Sequence, residues 1–198
     1  MKSSEEQIIA GCMEGKRHAQ SQLYSKYAST MFGVCLRYAA TKVEAEDLLQ
    51  EGFLKVFTHI KSYRGQGSFE GWMRRIFANT AINHFHSTSK HQIISVENIE
   101  TYAGDIEEEP ADWLHEGPDN IPVTPDKVMK LIQVLPEGYR MVLNLYVFEG
   151  CTHREIGEML QISENTSKSQ LSKARRYLKN QISNIVENEL KLVEHHER

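Results

Sequence analysis

Apolar residues in the first half of the chain recur at helical intervals. Between positions 21 and 39 they are separated by three or four residues, which places them on one face of an α-helix. Few segments alternate apolar and polar residues with a period of two, so we expect no β-sheet. The pattern predicts a helix that buries one stripe, formed by Leu23, Tyr27, Met31, Val34 and Tyr38.

Two more helices are predicted before position 90. The first opens with the acids Glu44, Glu46 and Asp47, which the positive end of a helix dipole favours. Gly65 and Gly67 end this pattern, and a further helix runs through the sequence FEGWMRRIFANTAINHFHSTS. The residues of the first helix that can face a core are Ala45, Leu48, Leu49, Val56 and Ile60.

After position 123 the chain carries signals for the ends of short helices. Thr124 followed by Pro125 is typical of a helix start, and Pro136 begins the next helix. Gly150 is suited to a left-handed cap behind that helix. The spacing of Thr152 and Glu155 predicts a capping box on a third helix.

The sequence QIS, residues 161–163, separates the third helix from a fourth. Two short helices joined by a turn of this length predict a helix-turn-helix. Ser163 can cap the fourth helix, and Glu164 suits the positive end of its dipole. Gln161 occupies the turn position at which glycine is usual, and a left-handed conformation there would cost about 1 kcal/mol.

The fourth helix separates apolar from basic residues. A solvated surface helix is one interpretation, but such helices usually mix in acids for i,i+4 pairing, and no acid follows Glu164 before Ile182. Polar groups for base edges and cations for phosphates are what a major groove requires. The inward stripe is predicted to be Ser167, Leu171, Ala174, Leu178 and Ile182. The residues predicted to face DNA are Asn165, Lys168, Ser169, Ser172, Lys173 and Arg176.

A strongly acidic segment lies between the two groups of helices. Residues 93–120 contain nine acids and no lysine or arginine, and four prolines fall within 110–125. Proline and uniform charge both oppose a packed helix, so we interpret the segment as a linker. The rest of the chain is net basic, so the overall charge of -4 does not exclude a nucleic-acid partner. The predicted divisions are a domain at 1–92, a linker at 93–124, a domain at 125–186 and a tail at 187–198.

The composition is typical of a globular protein, with 40% hydrophobic and 25% charged residues in 198. Cys12, Cys35 and Cys151 form no CxxC pair, which fits a reducing cytosol. The N-terminus lacks the basic and apolar regions of a signal peptide, and no apolar run approaches the ~20 residues of a membrane span. We therefore expect a cytoplasmic protein without membrane insertion.

Two segments together resemble the extracytoplasmic-function (ECF) family of RNA polymerase sigma factors. AEDLLQEGFLKVF with FEGWMRRIFANTAINHF is similar to the family's N-terminal domain. LPEGYRMVLNLYVFEGCTHREIGEMLQISENTSKSQLSKARRYLK is similar to its promoter-reading C-terminal domain. The resemblance covers residues 5–90 and 125–182. It implies an all-α fold of two small helical domains joined by the acidic, proline-containing linker, with a helix-turn-helix in the second.

The resemblance also implies partners. These are promoter DNA and core RNA polymerase, contacted at its β′ clamp and β flap, with an anti-sigma factor as a further candidate. The acidic linker resembles the family's connector, which threads through polymerase channels that RNA normally occupies. No cofactor, metal or catalytic residue is implied, because the polymerase performs the phosphoryl chemistry.

The D-x-x-Q-E pattern of the family, which docks on the β′ clamp, falls on Asp47, Gln50 and Glu51. Carboxylates and an amide can meet arginines of a partner helix, and an exposed aromatic can anchor the centre of such a contact. The resemblance therefore implies docking roles for Phe53 and Phe57 as well. The alternative is that both phenylalanines belong to the core.

The resemblance assigns the loop SYRGQGSF, residues 62–69, and the next helix to reading the melted −10 element. Such reading needs aromatic faces, cations and amides beside a backbone that approaches an unstacked base closely. For Phe69 and Trp72, core packing is the alternative. The residues that the resemblance assigns to this role are Tyr63, Arg64, Gln66, Phe69, Trp72, Arg74, Arg75, Asn79 and Asn83.

In the second domain the residues predicted to face DNA match the family's −35 contacts. Gln170 stands where many relatives carry arginine, so the preferred promoter sequence cannot be copied from a relative. A stand-alone helix-turn-helix regulator is the alternative function, but it leaves the Asp47–Phe57 helix and the glycine loop unexplained. A metal enzyme with His84, His86 and His91 as ligands is disfavoured, because the first two do not share a helix face.

Overall fold

The computed structural model describes residues 4–89 and 124–196, with side chains described through 87 and 185. The chain forms two compact units, Met1–Thr88 and Ser89–Arg198. Throughout the two described segments the regular elements are helices, without a strand, which confirms the all-α prediction. The predicted linker at 93–124 lies outside the described residues except for Thr124, and the predicted domain boundaries stay a prediction.

The first unit contains four α-helices in the described residues. They are α1 (Ser4–Met13), α2 (Arg17–Tyr38), α3 (Lys42–His59) and α4 (Phe69–Ser89), with a 3₁₀ turn at Ile60–Ser62. Helices α2 and α4 lie where the apolar pattern predicted them, whereas α1 was not predicted. Thr41 caps α3 by accepting a hydrogen bond from the Glu44 backbone N–H at 3.2 Å. The start of α3 at Lys42 therefore places Glu44 in its first turn.

The core of the first unit is formed by the predicted stripes. All five predicted residues of α2 and all five predicted residues of the α3 segment are buried. Close packing of α3 on α4 depends on Gly52, since a β-carbon there would lie 2.2 Å from the Phe77 ring. Helices α2 and α3 also pack on each other, and α1 packs on α2. These contacts confirm the helical interpretation of the apolar pattern.

The second unit contains α5 (Pro125–Gln133), α6 (Glu137–Val147), α7 (His153–Leu160) and α8 (Glu164–His196). Thr124 caps α5 with Pro125 in its first turn, as predicted. The predicted capping box of α7 is present: Glu155 accepts the Thr152 backbone N–H at 2.8 Å, and Thr152 Oγ1 accepts the Glu155 backbone N–H at 3.3 Å. The Thr152 hydrogen bonds lower the pKa of Glu155. The starts of α5 and α7 therefore follow from local sequence.

A buried arginine joins α5 to α6. Arg140 is only 3% exposed, and its Nη1 donates to the backbone oxygens of Gln133 at 2.8 Å and Leu135 at 2.9 Å. These acceptors are carbonyls near the end of α5, which the helix itself leaves unsatisfied. The guanidinium is thus a C-terminal cap supplied by the next helix.

The α7–α8 turn is the one predicted from the sequence QIS. Gln161 has a φ of 57°, so a residue with a β-carbon does hold the left-handed conformation. The Ile162 backbone N–H donates to the Gly157 oxygen at 3.0 Å, which closes the turn on α7. A β-carbon at Gly157 would lie 2.9 Å from the Ile162 oxygen, so the turn needs glycine in the helix rather than at its end. The helix-turn-helix prediction is confirmed.

Candidate nucleic-acid interface

Helix α8 begins with a side-chain cap and then buries one stripe. Ser163 Oγ accepts a hydrogen bond from the Thr166 backbone N–H at 2.9 Å, as predicted for a helix start. Four of the five predicted inward residues are buried, and Ile182 is half-buried. The buried residues are Ser167, Leu171, Ala174 and Leu178.

The opposite face of α8 carries the polar residues predicted to meet DNA. Each residue of the buried stripe is preceded, two positions earlier, by a residue on the far side of the helix. These far-side residues are Asn165, Ser169, Ser172 and Arg176. All four are exposed or half-exposed, and all can form hydrogen bonds. The exposed Lys168 and Lys173 lie on the two flanks of this face. We call these six residues the outer face of α8.

Glu164 and Lys168 form an ion pair at the start of the outer face. The Lys168 ammonium lies 2.9 Å from the Glu164 carboxylate, and this contact lowers the pKa of Glu164. Both side chains are about half exposed, so the pair is weakened by solvent. A DNA phosphate can therefore compete for the lysine.

A partly buried polar contact joins α8 to α7. His153 Nδ1 lies 2.9 Å from Ser167 Oγ, and the imidazole stacks on the Tyr146 ring with centroids 4.6 Å apart. The Arg175 guanidinium lies 5.6 Å from the centroid of the same Tyr146 ring. Burial, and then the charge of Lys168, lower the pKa of His153, so the neutral imidazole is favoured. The sequence did not reveal this contact, although a serine on an apolar stripe indicates that its hydroxyl needs a partner.

Gln170 lies against α6 rather than on the outer face of α8. A β-carbon at Gly138 would come within 3.3 Å of the Gln170 amide. The residue also follows the buried Ser167 by three positions and precedes the buried Ala174 by four. Gln170 therefore takes part in the packing of α8 on α6 and does not belong to the outer face.

The loop between the 3₁₀ turn and α4 bends at two glycines and is closed by one hydrogen bond. Gly65 and Gly67 have φ values of 73° and 87°, which favour glycine. The Tyr63 hydroxyl donates to the Gly67 oxygen at 2.8 Å and closes the loop. Arg64 and Gln66 project as exposed side chains. The loop thus presents a cation and an amide on a backbone that two glycines allow to bend.

Three aromatic rings pack beneath this loop. The Phe69 ring stacks on Trp72 with centroids 5.4 Å apart and meets Tyr63 edge-on at 5.0 Å. Trp72 and Tyr63 are half-buried, with centroids 5.6 Å apart. Phe69 is only 2% exposed, so it cannot stack on a base, and core packing is the correct interpretation of this residue. Phe69 supports the rings of Tyr63 and Trp72 instead.

The predicted polar residues of α4 form one continuous face. Arg75, Asn79 and Asn83 are exposed and follow at steps of four residues, and the half-buried Trp72 precedes Arg75 by three. Arg74 lies beside this face and pairs with Glu70 at 2.8 Å. The loop and this α4 face together present amides, cations and aromatic edges.

The exposed side of α3 carries three of the residues predicted to dock on the polymerase. Asp47, Gln50 and Glu51 are exposed, which agrees with the prediction. Phe53 is only 3% exposed, with its ring centroid 4.7 Å from Tyr24 and 5.4 Å from Phe77. The expectation of an exposed anchor at Phe53 is therefore wrong, because the turn of α3 directs this ring between α2 and α4. Phe57 is half-buried.

Exposed aliphatic residues take the place expected for an aromatic on α3. Leu54 is 68% and Val43 66% exposed, and both share a stripe with Asp47 and Gln50 at intervals of four, three and four residues. Their spacing from Asp47 indicates a shared stripe, whereas their exposure is seen only in the structure. We call Val43, Asp47, Gln50, Glu51 and Leu54 the α3 face.

The structure offers no support for the metal site. His84 Nδ1 lies 3.6 Å from a Glu44 carboxylate oxygen, a neighbour that the sequence did not reveal. Yet within residues 4–89 and 124–196 there is no group of three or more His, Cys, Asp or Glu able to hold a metal ion. His91 lies outside the described residues. In the same parts of the chain, every helix is too short or too polar to cross a membrane.

Comparisons with known proteins point to one family. The Sigma-70 region 2 family matches residues 23–91, and the Sigma-70 region 4 family matches residues 126–178. The RNA polymerase sigma-H factor of Pseudomonas aeruginosa is 30% identical over 179 residues, covering 86% of this chain and 90% of that protein. The ECF RNA polymerase sigma-E factor of Haemophilus influenzae is 26% identical over 191 residues, covering 92% and 97%.

Solved structures are similar at lower identity. CnrH in complex with the cytosolic domain of CnrY has a TM-score of 0.46 at 15% identity, covering 91% of this chain and 97% of that one. RpoE in complex with the anti-sigma factor NepR from Bartonella quintana has a TM-score of 0.45 at 17% identity, covering 81% and 94%. From the family matches and the sequence relatives, this chain belongs to the ECF family of RNA polymerase sigma factors.

Proposed function

We propose that the chain directs core RNA polymerase to promoters by using three separate faces. The outer face of α8 binds the −35 duplex, the glycine loop with the α4 face holds a separated −10 strand, and the α3 face docks on the polymerase. The observation that carries this proposal is the outer face of α8. There, hydrogen-bonding side chains and cations lie directly opposite the buried stripe, and none of the six is an acid.

The outer face of α8 is suited to a major groove by its chemistry. Asn165, Ser169 and Ser172 are short side chains that can reach base edges. Lys168, Lys173 and Arg176 can contact phosphates and release counterions, which makes the binding sensitive to salt. The Ser163 cap leaves the N-terminus of α8 ordered at the end expected to meet the bases.

The glycine loop and the α4 face suit a single strand. Tyr63 and Trp72 keep partly exposed rings, which can stack on unpaired bases. Arg64 and Arg75 supply charge for the strand backbone, and the amides of Gln66, Asn79 and Asn83 supply donors and acceptors for base edges. Binding free energy from the −35 duplex and from the polymerase then offsets the unpairing of a few base pairs.

The α3 face has the composition of a helix-docking surface. An exposed Leu54 and Val43 flank Asp47 and Gln50, so apolar contact and charge complementarity are available together. We assign this face to the β′ clamp of the polymerase. Four further points stay predictions from the sequence. They are contact with the β flap, binding of an anti-sigma factor, a cytoplasmic location, and the absence of a catalytic step in this chain.

Run-off transcription is the direct test of the proposed function. The purified chain is combined with bacterial core polymerase on a library of promoter fragments, and it should yield discrete transcripts that core polymerase alone does not. A stand-alone regulator would neither support such transcripts nor co-purify with the core enzyme in stoichiometric amounts. Either of those two failures would contradict the proposal.

The groove assignment is tested by the salt dependence of duplex binding. Lys173→Ala and Arg176→Ala should each weaken binding to a −35 duplex recovered from that library, and each lost phosphate contact should lower the log–log salt slope by about 0.9. Fluorescence anisotropy at several salt concentrations measures both quantities. Lys55→Ala, on α3, is the control and should leave the slope unchanged. Unchanged slopes in both α8 variants would contradict the assignment.

A further inference from the structure

Helix α1 is joined to α2 by a hydrogen-bonded carboxylate. Glu5 accepts a hydrogen bond from the Lys26 ammonium at 2.6 Å and a second from the Tyr27 hydroxyl. The Lys26 and Tyr27 hydrogen bonds lower the pKa of Glu5, while burial raises the pKa of Tyr27, so a carboxylate faces a protonated phenol. A carboxylate oxygen of Glu5, on α1, therefore fixes the position of the Tyr27 hydroxyl, on α2.

Tyr27 carries this contact inward to the loop. It is 7% exposed within the apolar stripe of α2, and a buried phenol needs a partner for its hydroxyl. Its ring lies 5.9 Å from Phe69, centroid to centroid. Glu5, by fixing the hydroxyl, also fixes where the Tyr27 ring meets Phe69.

Phe69 in turn supports both partly exposed rings of the loop region. It stacks on Trp72 and meets Tyr63 edge-on, and the Tyr63 hydroxyl holds the Gly67 carbonyl. Helix α1 also contacts the 3₁₀ turn Ile60–Ser62 from which the loop departs. An unbroken series of contacts thus runs from Glu5 through Tyr27 and Phe69 to the loop.

We propose that Glu5 is a positioning residue for the glycine loop. Its contact with Tyr27 holds the aromatic rings beneath the loop in place, and we call this support of the loop by α1 the brace. Glu5 does not touch DNA in this arrangement. It orders the aromatic rings under the loop before a strand arrives, so that less conformational entropy is lost on binding. The inference rests on the proposed −10 function, yet the brace itself is a property of the protein alone and is measurable without DNA.

The brace is tested in the full chain by hydrogen exchange of the loop amides at 62–68. Glu5→Ala removes the acceptor, and Tyr27→Phe removes only the hydroxyl while keeping the ring on Phe69. Each should speed exchange in the loop by about threefold or more, and the double variant should add little, because both break one contact. Glu5→Gln keeps an oxygen acceptor and should recover most of the protection. Gln7→Ala, exposed on the same helix, is the matched control.

The consequence for DNA is tested in holoenzyme. The probe is a fluorescent single strand carrying the −10 segment of a promoter recovered in the run-off library. Glu5→Ala and Tyr27→Phe should weaken its binding by about threefold to tenfold, in line with an ordering cost, and leave −35 duplex binding unchanged. The Glu5→Gln variant should bind nearly as the wild type does.

Two results would overturn the brace: unchanged loop exchange in both single variants, or exchange that rises equally across all helices of the first unit. Faster loop exchange with unaltered strand affinity would leave the brace in place and overturn the role of Glu5 in strand binding. A wild-type chain that starts no transcript would instead contradict the proposed function, and the exchange measurement would still decide whether Glu5 orders the loop.

Discussion

Two residues of the second unit, Gln161 and His153, shape the helix-turn-helix. Gln161 adopts a left-handed φ of 57°, which L-residues other than asparagine and aspartate rarely adopt. Nearby, the neutral His153 links α7 to α8 through Ser167. The contribution of each residue to the free energy of unfolding can be measured with single substitutions.

Gln161→Gly should stabilise the second unit. Glycine removes the β-carbon strain of the left-handed conformation, and its greater freedom in the unfolded chain offsets part of that gain, so we expect about 0.5–1 kcal/mol. Urea unfolding followed by helical circular dichroism measures the change. Gln161→Ala keeps the strain and serves as the control, and a glycine variant no more stable than the alanine variant would refute this explanation.

The contribution of His153 should depend on pH. Its folded-state pKa is lowered, so as pH falls the unfolded chain takes up the proton first and the second unit loses stability. The stabilisation is present above the ordinary histidine value of about 6.5 and is lost as pH falls through the lower folded value. The Tm difference between wild type and His153→Gln should therefore shrink between pH 7.5 and 5.5. A difference that is constant over this range would contradict the assignment.

At the scale of the elements, close approach of helices depends on a few glycines. Gly52 lets α3 lie against the Phe77 ring of α4, and Gly157 lets the α7–α8 turn fold back on α7. Local signals placed the helices well, since Thr41, Thr124, Thr152 and Ser163 all cap helices. The same local signals did not reveal which helical glycines a neighbouring helix requires, because that depends on contacts distant in sequence.

Two glycine substitutions in the first unit should have opposite effects. Gly52→Ala adds a methyl group 2.2 Å from the Phe77 ring and should destabilise the unit by about 1–3 kcal/mol through overpacking. Gly33→Ala, in α2, meets nothing within 4 Å and should stabilise it by up to about 1 kcal/mol through helix propensity. Chemical unfolding of both variants measures this, and a shared sign would contradict the packing of α3 on α4.

At the scale of the whole molecule, the proposed contacts are divided between two compact units. The α3 face and the glycine loop belong to Met1–Thr88, and the outer face of α8 belongs to Ser89–Arg198. The net charge of -4 conceals this division, because nine acids are concentrated at 93–120. Polymerase docking and −35 binding should therefore be separable by mutation.

Asp47→Ala combined with Gln50→Ala should weaken binding to core polymerase by about tenfold or more, since both groups lie at the centre of the α3 face. Binding of the same variant to the −35 duplex should remain that of the wild type. Lys173→Ala should show the reverse pattern. Titration against labelled core polymerase and anisotropy with the duplex provide the two measurements. Equal losses in both assays would contradict the division of labour.

The local sequence was enough to predict most helices, the caps at Thr124, Thr152 and Ser163, and the buried stripes, because these depend on neighbours within one or two turns. At Gln161 it indicated only that a left-handed conformation would be costly. It was also enough to place polar residues opposite the buried stripe of α8. Only the tertiary structure decided that Phe53 and Phe69 are core residues, that Leu54 and Val43 are exposed instead, and that Glu5 reaches Tyr27. The physical reason is that a periodic pattern defines the faces of one helix, whereas burial depends on which other helix covers each face.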